Sequence, residues 1–149
     1  MMLDSIPPEL DVAVIGAGSA GLPAFRAARE HTDNIALIER GPHGTTCARV
    51  GCMPSKLLIA AAEAVHGMEK APGFGVHPGS IRVDGKAVME RIRSERDRFV
   101  GFVLDGVEKI DPKYKVSGQA RFLEDALLEI EGKKHSKLYL FSIFLSNSN

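Results

Sequence analysis

The two cysteines of this 149-residue chain, Cys47 and Cys52, stand in the run Gly44-Thr-Thr-Cys-Ala-Arg-Val-Gly-Cys-Met-Pro-Ser-Lys56. A permanent disulfide this short would do little for stability. Closing a loop of about six residues gives about 2 kcal/mol, against about 4.7 kcal/mol for a long loop. Two unpaired buried thiols are common in soluble proteins, but that reading leaves the surrounding small residues, proline and lysine unexplained. A thiol pair that opens and closes accounts for the setting better. Disulfide exchange needs a thiolate, which forms beside positive charge or at a helix N-terminus. Cys52 immediately precedes a helix predicted to begin at Pro54, a residue that suits a first helical turn. On an ideal helix, residues five apart point about 140° away from each other. The pair can therefore bond only if the first turn is distorted, and Gly51 permits that. Zinc at Cys47 and Cys52 needs further ligands; His43 is near, but no second Cys/His cluster exists, so no metal is expected.

A glycine turn lies upstream of the thiols. Gly16, Gly18 and Gly21 form a GxGxxG pattern between a predicted strand and a predicted helix, the context that gives the pattern meaning. Gly16 permits the tight turn, Gly18 lets backbone approach a pyrophosphate, and Gly21 allows close helix–strand packing. The helix N-terminus supplies amide donors and a positive dipole end. Glu39 closes the next strand about 20 residues on, where a carboxylate accepts hydrogen bonds from ribose hydroxyls. Dinucleotide binding is the expectation. If the helix starts near Gly18, Pro23 slightly distorts its first turn.

These groups need elements to position them. Val12–Ile15 is a short β-branched apolar run, as a buried parallel strand should be. The segment 22–30 follows as a helix with Ala24, Ala27 and Ala28 on a small-residue face. Residues 35–38 read as a second buried strand and 41–51 as a loop. The helix from Pro54 carries Leu57, Leu58, Ala61, Ala62 and Val65 on its apolar side. A Pro/Gly loop at 71–79 precedes a long amphipathic helix, N-capped by Asp84 and running to Lys109. Residues 116–122 and 127–130 read as a β-hairpin or neighbouring strands. The expected fold is α/β: a Rossmann-like unit with a parallel sheet and an added β-hairpin.

Lys+Arg and Asp+Glu both total 19, so no net field steers nucleic acid to the chain. The basic-looking segment 91–98 is expected to be a solvated helix face with i,i+4 pairs Arg91/Glu95 and Arg93/Asp97. No apolar run approaches a membrane span. The N-terminal residues lack a secretory signal, so the cytosol is the expected compartment, where a paired-cysteine site is catalytic or metal-binding. The histidines at 31, 43, 66, 77 and 135 have no catalytic context and are expected mostly at the surface.

Taken together, the glycine turn and Thr46-Cys47-Ala-Arg-Val-Gly-Cys52-Met-Pro-Ser-Lys56 resemble the N-terminal part of the flavoprotein disulfide reductases. That family includes dihydrolipoamide dehydrogenase, glutathione reductase and mercuric reductase; the cysteine motif is most similar to dihydrolipoamide dehydrogenase-like members. Arg49 departs from the asparagine common there. The resemblance implies that the dinucleotide is FAD. Gly16, Gly18 and Gly21 would hold its pyrophosphate, Glu39 its adenosine ribose and Thr46 its phosphates, with Ala120 near the adenine. It also implies that Cys52 faces the flavin and Cys47 the substrate, with Lys56 stabilising reduced flavin. The substrate would be a small-molecule disulfide or dithiol, the electron partner of the complete enzyme NAD, and the family assembly a homodimer.

The resemblance spans residues 10–130, within a segment 1–131 read as the N-terminal part of an FAD-binding domain with the cysteine pair. Residues 132–149 read as an atypical tail replacing the family's next segment, by truncation or a frame shift, or as a genuine terminus adding one more strand. The family's nicotinamide domain and the interface domain with its His–Glu pair are not legible here. Two readings stay open: a portion of a disulfide oxidoreductase, and a non-catalytic remnant that at most binds flavin.

Overall fold

The computed structural model describes residues 7–124, 127–136 and 139–142. Residues 137, 138 and 143–149 of the tail, and the N-terminal residues 1–6, lie outside the described residues. The chain divides into two compact units, Met1–Thr45 with Val103–Asn149, and Thr46–Phe102.

The first unit is built on a parallel sheet. Its strands are β1 (Val12–Ile15), β2 (Ile35–Glu39), β3 (Lys115–Ser117) and β7 (Tyr139–Ser142), in the order β3-β2-β1-β7. Val12 to Ile15 pair in register with Ile35 to Ile38, and the backbone of β7 pairs on the other side of β1. Helix α1 (Gly21–Arg29) connects β1 to β2. The remaining strands, β4 (Ala120–Glu124), β5 (Leu127–Ile130) and β6 (Lys133–Ser136), form an antiparallel sheet.

Apolar burial explains this layering. Val14, Ile35 and Leu37 pack with Leu22 and Phe25 of α1, together with Val107 and Tyr114. On the other face, Ala13, Ala36 and Ile38 pack with Leu10, Val116, Leu128 and Ile130. Strands covered on both faces have no place for polar residues, hence the uninterrupted apolar runs. Tyr114 closes the edge: its ring lies 5.9 Å from that of Phe25, and its hydroxyl donates to Asp33 at 3.0 Å. The Arg29 guanidinium sits 4.3 Å from the same ring and also bonds Asp33. These partners hold the Asp33 carboxyl below its ordinary range, the Tyr114 hydrogen bond first and Arg29 second.

The second unit contains α2 (Thr46–Arg49), α3 (Cys52–Lys70) and the larger part of α4 (Gly85–Glu108). Asp84 caps α4, its Oδ1 accepting from Ala87 N at 3.0 Å, so the expected N-cap and helix are present. A 3-10 turn at Ala71–Phe74 ends on Gly75 at φ 78°.

Several expectations are corrected. The 41–51 segment is not all loop, because residues 46–49 make a helical turn. Segment 116–122 is two strands in different sheets: after β3 the chain breaks at Gly118, whose N–H donates to the Glu39 carbonyl, and β4 begins the antiparallel sheet. Helix α1 starts at Gly21, not near Gly18, so Pro23 falls inside the first turn, where missing donors cost little. Within 91–98 the ion pairs are Arg98–Glu95 and Arg96–Asp97 rather than the Arg91/Glu95 and Arg93/Asp97 pairs expected, and Arg91 reaches the Leu57 carbonyl instead. His135 is buried, with Nδ1 donating to the Pro7 carbonyl at 2.9 Å. The line drawn between residues 131 and 132 falls in the turn between β5 and β6, where Glu131 and Gly132 both take positive φ. That pattern is the tight turn favoured between twisted antiparallel strands.

Candidate functional site

In the first unit the glycine turn joins β1 to α1. Gly16 takes φ 98°, a region open to glycine, and its N–H donates to the Ile38 carbonyl at 2.7 Å. A Cβ on Gly21 would stand 1.8 Å from the Gly16 carbonyl oxygen. Strand end and helix start therefore touch directly, and no side chain fits between them. Gly18 is the opposite case: nothing lies within 4 Å of where its Cβ would be. The backbone there is open to a ligand, and a side chain would fill the space. The α1 cap residue, Ala20, offers no side-chain bond, and no acidic residue occupies the first turn. The positive end of the helix thus carries no acidic residue of its own. These features fit the phosphates of a dinucleotide.

Glu39 ends β2. Its Oε2 accepts from Ala17 N and its Oε1 from Gly41 N, both at 2.8 Å. The carboxylate braces the glycine turn against the end of β2, a role the sequence did not announce. Each oxygen accepts one of these bonds and keeps capacity for a second donor, such as a ribose hydroxyl. Ala120 opens β4 opposite Ile130 and packs half-buried against the second core cluster.

In the second unit, Cys47 lies in α2 and Cys52 is the first residue of α3. Both are free thiols, Cys47 half-buried and Cys52 exposed. The break between the two helices brings them together. Val50 and Gly51 N–H groups both donate to the Thr46 carbonyl, at 3.0 and 2.9 Å, closing the turn on one acceptor. Gly51 adopts φ −111°, ψ −111°, and a Cβ there would lie 3.2 Å from that carbonyl. The distortion expected at Gly51 is present, and it sets Cys47 beside Cys52. The neighbouring Cys52 side chain, then burial, push the Cys47 thiol above its ordinary range, opposed by the Cys52 backbone and then by the Lys56 charge. Lys56 is exposed, one turn along α3 from Cys52.

Two further features escaped the sequence reading. Thr45, a β-branched residue just before this turn, takes φ 56° next to Gly44 at φ 108°, an uncommon conformation for its type. The Ser55 hydroxyl lies 2.8 Å from the Gly51 carbonyl and 3.2 Å from that of Cys52, fastening the head of α3. A serine in the first turn of the helix predicted at Pro54 is the signal that marks it. Among the described residues no group of three His, Cys, Asp or Glu side chains could hold a metal ion, and no helix is long and apolar enough to cross a membrane.

Two thiols in contact can surrender an electron pair as they join. The other unit is a Rossmann-like α/β fold, the architecture that binds dinucleotides at a glycine-lined strand–helix turn. A family model described as pyridine nucleotide-disulphide oxidoreductase matches residues 10–134, and the chain belongs to that family. It is 36% identical over 126 residues to a mercuric reductase of Serratia marcescens, an overlap covering 81% of this chain and 27% of the relative. It is 31% identical over 134 residues to a dihydrolipoyl dehydrogenase of Bacillus subtilis (strain 168), covering 87% and 28%. A dihydrolipoyl dehydrogenase of Chlamydia muridarum is 32% identical over 142 residues, covering 93% and 30%. The chain thus spans under a third of the length of these curated relatives.

Proposed function

We propose that this chain is the FAD-binding, redox-cysteine portion of a disulfide oxidoreductase of the dihydrolipoyl dehydrogenase type. Electrons would pass between dihydrolipoamide and NAD by way of Cys47, Cys52 and the flavin. The observation that carries this reading is the turn closed on the Thr46 carbonyl at Gly51, which sets Cys47 and Cys52 on either side of the head of α3, in a family defined by disulfide chemistry. Bound FAD supplies the two-electron acceptor that a dithiol lacks.

The chain's own residues have separable tasks. Gly16 and Gly18 leave backbone open for the pyrophosphate, and Gly21 seats the helix end that faces it. Glu39 braces the turn and accepts from the adenosine ribose. Thr46 contacts the phosphates, Ala120 lies by the adenine, and Lys56 balances negative charge on reduced flavin. Gly51 and the Thr46 carbonyl hold the sulfurs within bonding reach. The whole protein would act as a cytoplasmic homodimer.

The similarity to mercuric reductases makes mercuric ion the second candidate substrate, since a thiolate pair suits a soft metal ion; a glutathione-type disulfide is a third. The test is to load the purified chain with FAD, desalt it, and record flavin absorbance, then NADH-driven reduction of lipoamide and of mercuric ion. Retained flavin with Cys52-dependent turnover supports the full reading. Retained flavin without turnover limits the chain to binding and thiol chemistry. A chain that retains no flavin contradicts the reading.

A further inference from the structure

Helix α3 has more apolar surface than its own unit covers. Leu57, Ala61 and Val65 form one half-buried stripe. Beside it Leu58, Ile59 and Ala62 are exposed, Leu58 at 50% and Ile59 at 54%. A helix with apolar residues beyond a single stripe normally finds cover for them. Among the described residues of 46–102, Ala48 and Ile92 are the buried apolar ones, so the unit has little core of its own to offer that face. The exposed face also keeps a regular period. Ser55, Ile59, Ala62, His66 and Glu69 follow one another at steps of four, three, four and three, which is the seam spacing of paired helices.

We infer that α3 pairs antiparallel with α3 of a second copy of this chain, about a two-fold axis between Ala60 and Ala61. The occupant is identified by a seam that complements itself. That axis sets Ile59 level with the partner's Ala62, and Ala62 level with the partner's Ile59. A large side chain meets a small one in both layers, as an isologous contact requires. On one flank Lys56 comes beside the partner's Glu63 and Glu63 beside the partner's Lys56, two opposite-charge pairs from one sequence match. Both residues are exposed. On the other flank Leu58 meets the partner's Val65. A parallel pair would set Glu63 against the partner's Leu58 and lose both charge matches. This contact goes beyond the whole-protein homodimer proposed above, because it needs only the present chain and no flavin. One helix pair lies at the small, weak end of interfaces. The dimer therefore belongs to concentrated solution, and dilute samples hold the monomer.

Sedimentation velocity of the full, flavin-free chain over a wide concentration range tests the pairing, with circular dichroism to check that each variant keeps its helices. The wild-type chain should pass reversibly from monomer to dimer as concentration rises. Ile59→Asp should leave only monomer, because its carboxylate would be buried in the seam without a partner. Lys56→Glu and Glu63→Lys each bring like charges together twice, and each should raise the dimer dissociation constant about tenfold. The double variant reverses both pairs and should return the constant to within about threefold of wild type. Lys56 and Glu63 are seven residues apart and do not pair within one helix, so this rescue reports a contact between copies. A chain that stays monomeric throughout overturns the inference and leaves the face to a different protein surface. A dimer indifferent to these substitutions also overturns it, since its contact lies elsewhere. Should Ile59→Asp lose helix, the charge variants, at exposed positions, still decide. The readout is mass without flavin, so a failure of FAD binding or turnover in the earlier test is a separate result.

Discussion

Residues 35–38 and helix α3 are both rich in apolar side chains, yet the molecule treats them in opposite ways. Ile35, Ala36, Leu37 and Ile38 are each at most 3% exposed, clamped between α1 and the antiparallel sheet. Helix α3, over 19 residues, has no buried residue at all, and Leu58 and Ile59 are half exposed. The dinucleotide-type turn therefore hangs on a unit that is stabilised by its own core. The thiol pair instead sits where local hydrogen bonds, from Val50, Gly51 and Ser55, set the geometry. Core stability and the geometry of the thiol turn are thus set by different residues, and substitutions should separate them.

The largest effect is expected at Leu37. Leu37→Ala should cost about 2–5 kcal/mol in urea unfolding, while Ile59→Ala should stay within about 0.5 kcal/mol. Equal losses at the two sites would erase the contrast. Gly21→Ala comes next, at about 1–3 kcal/mol, because its methyl group must displace the Gly16 carbonyl. Gly18→Ala should alter stability by no more than about 0.5 kcal/mol yet weaken FAD binding in a fluorescence titration, since its methyl group enters open space beside the backbone. If Gly18→Ala binds FAD as tightly as wild type, that space is not the pyrophosphate seat.

A smaller effect concerns the thiols. Cys52 raises the proton affinity of Cys47, so Cys52→Ala should let Cys47 ionise at lower pH. Its iodoacetamide alkylation at pH 8 should then speed up severalfold; an unchanged rate would mean that the contact is not made in solution. The smallest effect lies at the far end of the sheet. The Asp33 pKa is depressed in the folded state, so its contribution is present above the ordinary carboxylate value of 3.8 and is lost as pH falls through the lower folded value. Tyr114→Phe removes the first cause. The fall in melting temperature between pH 4 and 2 should become shallower in that variant, while the same slope in both proteins would remove Asp33 from the acid response.

Much of this was legible in the residues. β1 and β2 could be read because strands buried on both faces must be apolar throughout, and α4 because Asp84 and a helical period mark it. The split after Ser117 could not: a backbone bond from Gly118 to Glu39 ends β3, and no side-chain pattern records it. His135 looked like a surface residue because its burial depends on a tertiary partner, the Pro7 carbonyl. At the site, residue types pointed to the glycine turn and the thiols. The bracing by Glu39 and the positive φ of Thr45 depend on backbone geometry that composition does not encode.

The proposed coupling of thiol to flavin is tested most directly by loading the chain with FAD, reducing it by two electrons without oxygen, and recording its long-wavelength absorbance. A thiolate against oxidised flavin should give a charge-transfer band in wild type and in Cys47→Ser, and none in Cys52→Ala. Flavin that binds tightly but shows the same spectrum in all three proteins would contradict a sulfur–flavin partnership in this chain.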